Sequence, residues 1–212
     1  MKKIYSIYIK RFLDIVISII ILPLVLIIGI PVAILIFLED KGPIFYNGER
    51  LGKNGKIFKM HKFRTMKVNS EDIRNKDGST FNGENDPRLT KIGKILRKTS
   101  IDELPQIINV IKGDMSLIGP RPDLPEHIKL YTQKEKEKLK VLPGITGYNQ
   151  AYYRNSITWK KRLKNDVYYV EKMSFLLDLK ILFNTVVMVA RKDGVYIEKK
   201  WILWIRMGYQ LF

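Results

Sequence analysis

FLDIVISIIILPLVLIIGIPVAILIFL, residues 12–38, is the stretch on which the fold turns. No charge occurs between Asp14 and Glu39. As one straight helix the stretch would run ~40 Å at ~1.5 Å per residue. The hydrocarbon core of a bilayer is ~30 Å, so the segment is long enough to cross it. Pro23 stands in its middle, with Gly29 and Pro31 behind. A proline removes a backbone donor and clashes with the preceding turn, so a kink is predicted there. Both flanks are basic: Lys2, Lys3, Lys10 and Arg11 precede the segment, and Lys41, Arg50, Lys53, Lys56 and Lys59 follow it. Positive charge therefore assigns no orientation to a single crossing. Two readings fit. The segment by itself favours a Pro-kinked transmembrane helix, because kinked spans are common. The alternative bends at Pro23 and returns both limbs, each ~12–15 residues, to one face. The run is too long for a signal-peptide core and no small-residue cleavage site follows it, while Lys2 excludes N-myristoylation.

The whole chain has 212 residues, room for one domain with an appendage. Lys and Arg number 38 against 21 Asp and Glu, a net charge of +17. Such charge calls for anionic partners: phosphorylated substrates, nucleic acid or an acidic lipid surface. Apolar residues make up 46%, which argues against disorder. Cysteine is absent, excluding a disulfide framework, thiolate-ligated zinc, iron–sulfur clusters and a thiol nucleophile. His61 and His127 are the only histidines, too few for a histidine-rich metal site.

Beyond the apolar segment, Pro43–Phe63 reads as a β-hairpin, with Asn54-Gly55 as a two-residue turn. Residues 68–87 are polar and read as a loop. Leu89–Lys98 has the spacing of a short basic helix. Ser100–Gly113 reads as helix start, apolar body and glycine stop. Met115–Ile118 reads as a short strand, and Pro125–Leu142 as a Lys/Glu-rich helix. Pro143-Gly144 and Gly147 mark a loop, and helices are predicted over Trp159–Lys172 and Met173–Arg191. The aromatic Trp201–Phe212 suits either a headgroup boundary or docking on the core.

Familiar phosphate and hydrolase signatures are missing. There is no G-x-x-x-x-G-K-[ST] loop, no dinucleotide-loop glycine spacing, no G-x-S-x-G and no H-E-x-x-H. The sharpest local feature is Asp102-Glu103. Ser100-x-x-Glu103 has capping-box spacing, which would place both carboxylates in a first helical turn. The helix dipole there lowers carboxylate basicity and attracts phosphate. An ionised Asp is a candidate nucleophile and an adjacent Glu a candidate Mg²⁺ ligand. Acids in first turns also simply stabilise helices, and the residues alone leave both readings open. Lys62, Arg64, Arg97 and Arg121 surround the dyad in sequence. Pro120 and Pro122 stiffen the backbone presenting Arg121, whose fork suits phosphate oxygens. Arg154 follows Tyr152 and Tyr153 and suits a base, a sugar or a phosphate.

Six stretches carry a larger pattern: Pro43–Phe45 (PIF), Phe58–Met66 (FKMHKFRTM), Leu96–Gln106 (LRKTSIDELPQ), Asn109–Pro122 (NVIKGDMSLIGPRP), Pro143–Gly147 (PGITG) and Asp166–Val170 (DVYYV). In this order and spacing the chain resembles the monotopic phosphoglycosyl transferases, the bacterial sugar transferase family. The resemblance runs from Lys10 to about Lys192. It implies transfer of a sugar phosphate from a UDP-sugar to polyprenol phosphate, with release of UMP, on the cytoplasmic face of the bacterial inner membrane. By the same resemblance Asp102 would be the nucleophile, forming a covalent phosphosugar–aspartate, and Glu103 would assist by holding Mg²⁺. Asp102 and Glu103 are thus both catalytic and metal candidates. Lys62, Arg64, Arg97, Arg121, Pro122 and Arg154 are the substrate-binding candidates.

The resemblance also implies a re-entrant helix-break-helix with its membrane kink at Pro23, in place of a span. An α+β, mainly helical fold follows. On this reading residues 1–40 would form the membrane anchor, and residues 41–212 a catalytic domain with a small hairpin, amphipathic interface helices and an aromatic C-terminal segment. Two positions depart from the family pattern: Leu22 stands where a Ser usually precedes the break proline, and Tyr153 stands where Gly usually precedes Arg-Asn. Partners implied are the UDP-sugar, the polyprenol phosphate and inner-membrane lipid; nucleic acid is not among them, and homo-oligomerisation is left open. The competing reading is a membrane-tethered basic module that binds nucleic acid or acidic lipid. It lacks the stripe of interleaved aromatic and basic residues such binding uses.

Overall fold

The computed structural model describes residues 5–73, 81, 83, 86–154 and 156–191. Trp201–Phe212, Asn155 and parts of the predicted 68–87 loop lie outside them. After a π-helical turn, Tyr5–Ile9, the apolar segment forms one helix, α1 (Lys10–Asp40). Helical structure continues through Pro23 and Pro31. The break expected at Pro23 is therefore not a gap in the helix. A proline can bend a helix while the flanking turns stay helical. Lys41, with a left-handed φ of 55°, ends α1 by donating its N–H to Phe37 O. Among the described residues α1 is the helix long and apolar enough to cross a membrane. Its middle is bare: Ile20 is 70% exposed and Ile27 69%. Exposed apolar surface on this scale marks a lipid or partner contact.

Both ends of α1 are fastened to the rest of the chain. At its start, Lys10 Nζ lies 2.6 Å from Asp178 Oδ2, and Arg11 donates to Val110 O (2.6 Å) and Ile111 O (3.1 Å). Asp14 accepts from Leu117 N at 3.0 Å. At its end, Arg64 Nη1 donates to Asp40 Oδ2 at 2.6 Å. Glu39 accepts from Lys91 N and Ile92 N at 2.6 and 3.2 Å, capping the next helix. Val32 and Ile36 pack on Phe63 and Leu96.

The predicted hairpin is present. β1 (Phe45–Leu51) pairs antiparallel with β2 (Ile57–Phe63), Phe45 opposite Phe63 and Leu51 opposite Ile57. The connection differs from the two-residue turn predicted. It spans 52–56, closed by Gly52 N to Lys56 O at 2.8 Å, with Asn54 and Gly55 at φ 57° and 79°. Both residues supply the left-handed conformation foreseen, inside a longer loop.

α2 (Lys91–Thr99) starts at Thr90, whose Oγ1 accepts from Gly93 N at 2.9 Å. Gly93 lies on the Thr65 backbone so closely that a Cβ would come within 2.0 Å of Thr65 O. α3 (Gln106–Lys112) ends at Gly113, φ 94°, the predicted glycine stop. Asn109 is fully buried; it donates to Lys59 O (2.8 Å) and accepts from His61 N (2.9 Å). That clasp seats α3 on β2.

β3 (Ser116–Ile118) pairs parallel with β4 (Gly144–Thr146), a strand where a loop was predicted. The Lys/Glu-rich helix predicted over Pro125–Leu142 is corrected to two 3₁₀ segments, Pro125–Leu130 and Glu135–Lys140. Thr132 and Glu135 make a reciprocal cap between them, at 2.7 and 3.2 Å, and Glu135 and Lys138 are buried. Buried charges that must meet fixed partners hold this stretch out of a solvated α-helix. α4 (Tyr148–Tyr152), α5 (Trp159–Lys172) and α6 (Phe175–Arg191) complete the chain. On α6, Leu176, Leu179, Phe183 and Val186 form an exposed apolar stripe at helical spacing.

Candidate active site

Ser100 starts a short 3₁₀ turn that carries both acids in its first turn, as expected. It sits at φ 60° as the left-handed end of α2, its N–H turned back to Arg97 O and Leu96 O, and its side chain caps nothing. The capping box predicted at Ser100-x-x-Glu103 is thus absent. Asp102 and Glu103 lie in a 3₁₀ turn, Ile101–Glu103, wedged between α2 and α3. Both acids line the same hollow.

Four segments converge on that turn. β2 supplies Lys62, whose Nζ is 2.6 Å from Glu103 Oε1 and 4.0 Å from Asp102 Oδ2. The Pro120–Pro122 strap supplies Arg121, whose Nη2 donates to the same Glu103 oxygen at 3.2 Å. α2 supplies Arg97, with Nε on Thr65 Oγ1 at 3.0 Å. The residue after the α4 turn, Arg154, reaches Ser100 Oγ at 3.4 Å from a left-handed φ of 47°. Lys62, Arg97, Arg121, Pro122 and Arg154 all line one hollow with Asp102 and Glu103.

Arg64 also borders the hollow, but its guanidinium is committed elsewhere: to Asp40, Pro43 O and Met66 O. It clamps the end of α1, and the structure does not bring it to the dyad. Pro23 lies in α1, away from the dyad's contacts.

The two carboxylates differ in environment. Burial pushes Asp102 up to about 6, helped by the neighbouring Glu103 charge; Lys62, Arg97 and Arg121 oppose the rise. Burial acts on Glu103 as well, but Lys62 and Arg121 outweigh it through charge and hydrogen bonds and hold it down to about 2. Glu103 is therefore the fixed anion of the cluster. Asp102 is the less neutralised of the two, its pKa raised by burial, an environment that suits a reactive carboxylate.

The hollow encloses about 1330 Å³. One part is the cation-rich dyad. Another is walled by Ile17, Ile21 and Val25 of α1 and by Leu179 and Leu182 of α6. The same hollow thus has both cationic and apolar lining. Among the described residues no group of three or more His, Asp or Glu side chains gathers to bind a metal. Asp102 and Glu103 are neighbouring carboxylate donors in the hollow's lining.

Sequence reasoning missed the buried support behind Arg121. Asp123 accepts from Lys138 Nζ (2.7 Å) and Tyr131 Oη (2.6 Å), and Lys138 also meets Asp166 at 2.7 Å. Nothing in the run EKEKLK distinguishes Lys138 from its solvated neighbours. Asp166 fell inside a quoted motif without a role.

A family model for the bacterial sugar transferases matches residues 5–192. The chain is 44% identical over 186 residues to the uncharacterised sugar transferase EpsL of Bacillus subtilis, covering 88% of this chain and 89% of that one. It is 39% identical over 203 residues to the undecaprenyl-phosphate galactose phosphotransferase of Salmonella typhimurium, covering 89% of this chain and 42% of the relative. It is 38% identical over 185 residues to the UDP-N-acetylgalactosamine-undecaprenyl-phosphate N-acetylgalactosaminephosphotransferase of Aeromonas hydrophila, covering 84% and 43%. The chain thus spans less than half the length of the two relatives whose names state a substrate.

The two carboxylates should respond oppositely to neutralisation. A carboxyl whose pKa is raised by folding favours the folded state while protonated, and that contribution is lost as pH rises through about 6. Asp102→Asn should therefore stabilise the detergent-solubilised protein at pH 7.5, by about 1–2 kcal/mol. Glu103, held down, stabilises above the unfolded carboxylate range and loses that effect only as pH falls through about 2. Glu103→Gln should destabilise the fold by about 1–3 kcal/mol, because Lys62 and Arg121 lose their counter-ion. Thermal melts of the two variants check both signs.

Proposed function

The chain belongs to the bacterial sugar transferase family of enzymes, and on that premise we propose that it moves a sugar phosphate from a UDP-sugar to polyprenol phosphate through a covalent intermediate on Asp102. The observation that carries this reading is the contrast within the dyad: Glu103 is locked to Lys62 and Arg121, while Asp102 faces the hollow with its charge only partly matched. In the first half-reaction a carboxylate oxygen of Asp102 attacks the β-phosphorus. The bond from that phosphorus to the bridging oxygen breaks, UMP leaves, and a phosphosugar–aspartate remains. In the second, an oxygen of the lipid phosphate attacks the same phosphorus and the Asp102 carboxylate departs. One pocket then serves two acceptors in turn.

Lys62, Arg97, Arg121 and Arg154 surround the anions with cations, lowering the repulsion between a carboxylate nucleophile and a diphosphate. Mg²⁺ is commonly held by one or two carboxylates with substrate phosphates completing its shell. The Asp102–Glu103 donor set fits that mode, with Glu103 as the principal holder. When bound, the ion would stabilise negative charge on the transferring phosphoryl group.

We assign α1 to one leaflet, entering and leaving on the cytoplasmic face of the inner membrane. The support is mechanical. A spanning helix puts its ends on opposite sides of ~30 Å of hydrocarbon. Here one charged body holds Lys10, Arg11 and Asp14 at one end and Glu39 and Asp40 at the other. The exposed stripe of α6 and the apolar wall of the hollow would lie at the same boundary, where a polyprenol tail arrives.

Asp102→Asn should reduce UMP release from UDP-sugar, polyprenol phosphate and Mg²⁺ by at least about a thousandfold. In the wild type, kcat/KM should fall on acidification, because protonation of Asp102, whose carboxyl pKa burial raises, removes the nucleophile. UMP release by the Asn variant near the wild-type rate would exclude Asp102. The topology has its own check, helped by the absence of native cysteine. In intact spheroplasts, Tyr8→Cys and Lys41→Cys should both resist a membrane-impermeant thiol reagent, and both should react after lysis. Opposite accessibility of the two sites would mean a span.

A further inference from the structure

The strap that carries Arg121 has an unusual anchoring problem. Pro120 and Pro122 have no N–H groups, so the strap is held largely through its carbonyls. Pro120 O accepts from Gly144 N at 3.0 Å, and Asp123 O accepts from Leu51 N at 2.9 Å. Between them, Arg121 O accepts from Lys138 Nζ at 3.1 Å. The first two donors are backbone amides. The third is a buried ammonium.

All three protons of that ammonium have partners: Arg121 O, Asp123 Oδ2 at 2.7 Å and Asp166 Oδ2 at 2.7 Å. The carboxylates are fixed in turn. Asp123 also takes Tyr131 Oη and Trp159 Nε1, at 2.6 and 3.2 Å, and His127 Nδ1 stands 4.0 Å away. Asp166 takes Asn149 Nδ2 at 2.7 Å. Lys138 thereby ties the strap to α5, the helix carrying Asp166. Burying such a cluster is expensive, and apolar packing of similar volume stabilises a fold as well or better. What apolar packing cannot supply is a directed donor to the Arg121 carbonyl.

We propose that Lys138 is a positioning residue for the transfer reaction: by holding the Arg121 carbonyl against two buried carboxylates, it fixes the line along which Arg121 reaches Glu103 and the donor's phosphates. This rests on the sugar-phosphate reading above. Lys138 itself touches no reacting atom; its effect passes through Arg121.

The test measures UDP binding by calorimetry on the full chain in detergent, with thermal melts alongside. Lys138→Met with Asp166→Asn removes one charge of each sign and leaves Asp123 its Tyr131 and Trp159 donors. This double variant should melt cooperatively near the wild-type temperature yet bind UDP roughly tenfold more weakly. Added to Arg121→Gln, the same pair of changes should weaken UDP binding no further, because the effect runs through Arg121. Wild-type UDP affinity in a folded double variant, or losses that simply add to those of Arg121→Gln, would overturn the proposal. If the double variant does not melt cooperatively, Asp166→Asn alone decides. It leaves the Lys138–Asp123 pair intact and should cost about threefold in affinity; unchanged affinity would overturn the proposal. A wild-type protein that binds no UDP at all would instead overturn the sugar-phosphate reading, and is recognised before any variant is made.

Discussion

A single carboxylate oxygen, Glu103 Oε1, receives Lys62 at 2.6 Å and Arg121 at 3.2 Å. The three residues come from a β-hairpin, a proline-flanked strap and a 3₁₀ turn. Their meeting defines where the turn sits and therefore where Asp102 points. Because both cations are spent chiefly on Glu103, burial is left to dominate at Asp102. One acid is held as a fixed anion and its neighbour is left with a raised carboxyl pKa, by unequal sharing of the same two cations. Asp102 lies 4.0 Å from Lys62, close enough for the charge to be felt and too far for it to be quenched.

The second constraint is the attachment of α1 at both ends. Ion pairs and backbone hydrogen bonds join its start to α6 and the α3 end, and its finish to the start of α2 and to Arg64. The apolar middle has no comparable cover. A helix so attached brings exposed apolar surface beside a cation-rich hollow. That juxtaposition is what a reaction between a water-soluble diphosphate and a lipid-borne phosphate requires. Glu39 adds a direct link, since the last turn of α1 caps the helix that carries Arg97 and leads into the dyad.

Much of this was legible in the sequence. The apolar run, the hairpin, the short basic helix, the Gly113 stop and the two C-terminal helices follow from periodicity and from glycine chemistry. The dyad and its cations follow from sequence proximity and the family resemblance, and all but Arg64 gather about the 3₁₀ turn. Two of the failures, at Arg64 and Lys138, share a cause: local signals were overruled by distant contacts. Ser100 has the spacing of a cap, but α2 ends there in a left-handed turn. The reciprocal cap is formed at Thr132 and Glu135. Arg64 reads as a phosphate ligand until its partner Asp40 arrives from the end of α1. Lys138 reads as solvated surface until Asp123 and Asp166 enclose it. Asp40 and Arg64 are 24 residues apart, and Asp123 and Lys138 are 15 apart, so no short window holds both members of either pair.

The central claim is that an Asp102 oxygen becomes covalently joined to the sugar's phosphate. The most direct measurement is intact-protein and peptide mass spectrometry after exposing purified protein to UDP-sugar and Mg²⁺ without lipid acceptor. The account predicts a mass increase equal to one phosphosugar less water, localised to Asp102 and discharged when polyprenol phosphate is added. UMP formation with no adduct at any time point, or an adduct on a different side chain, would contradict it.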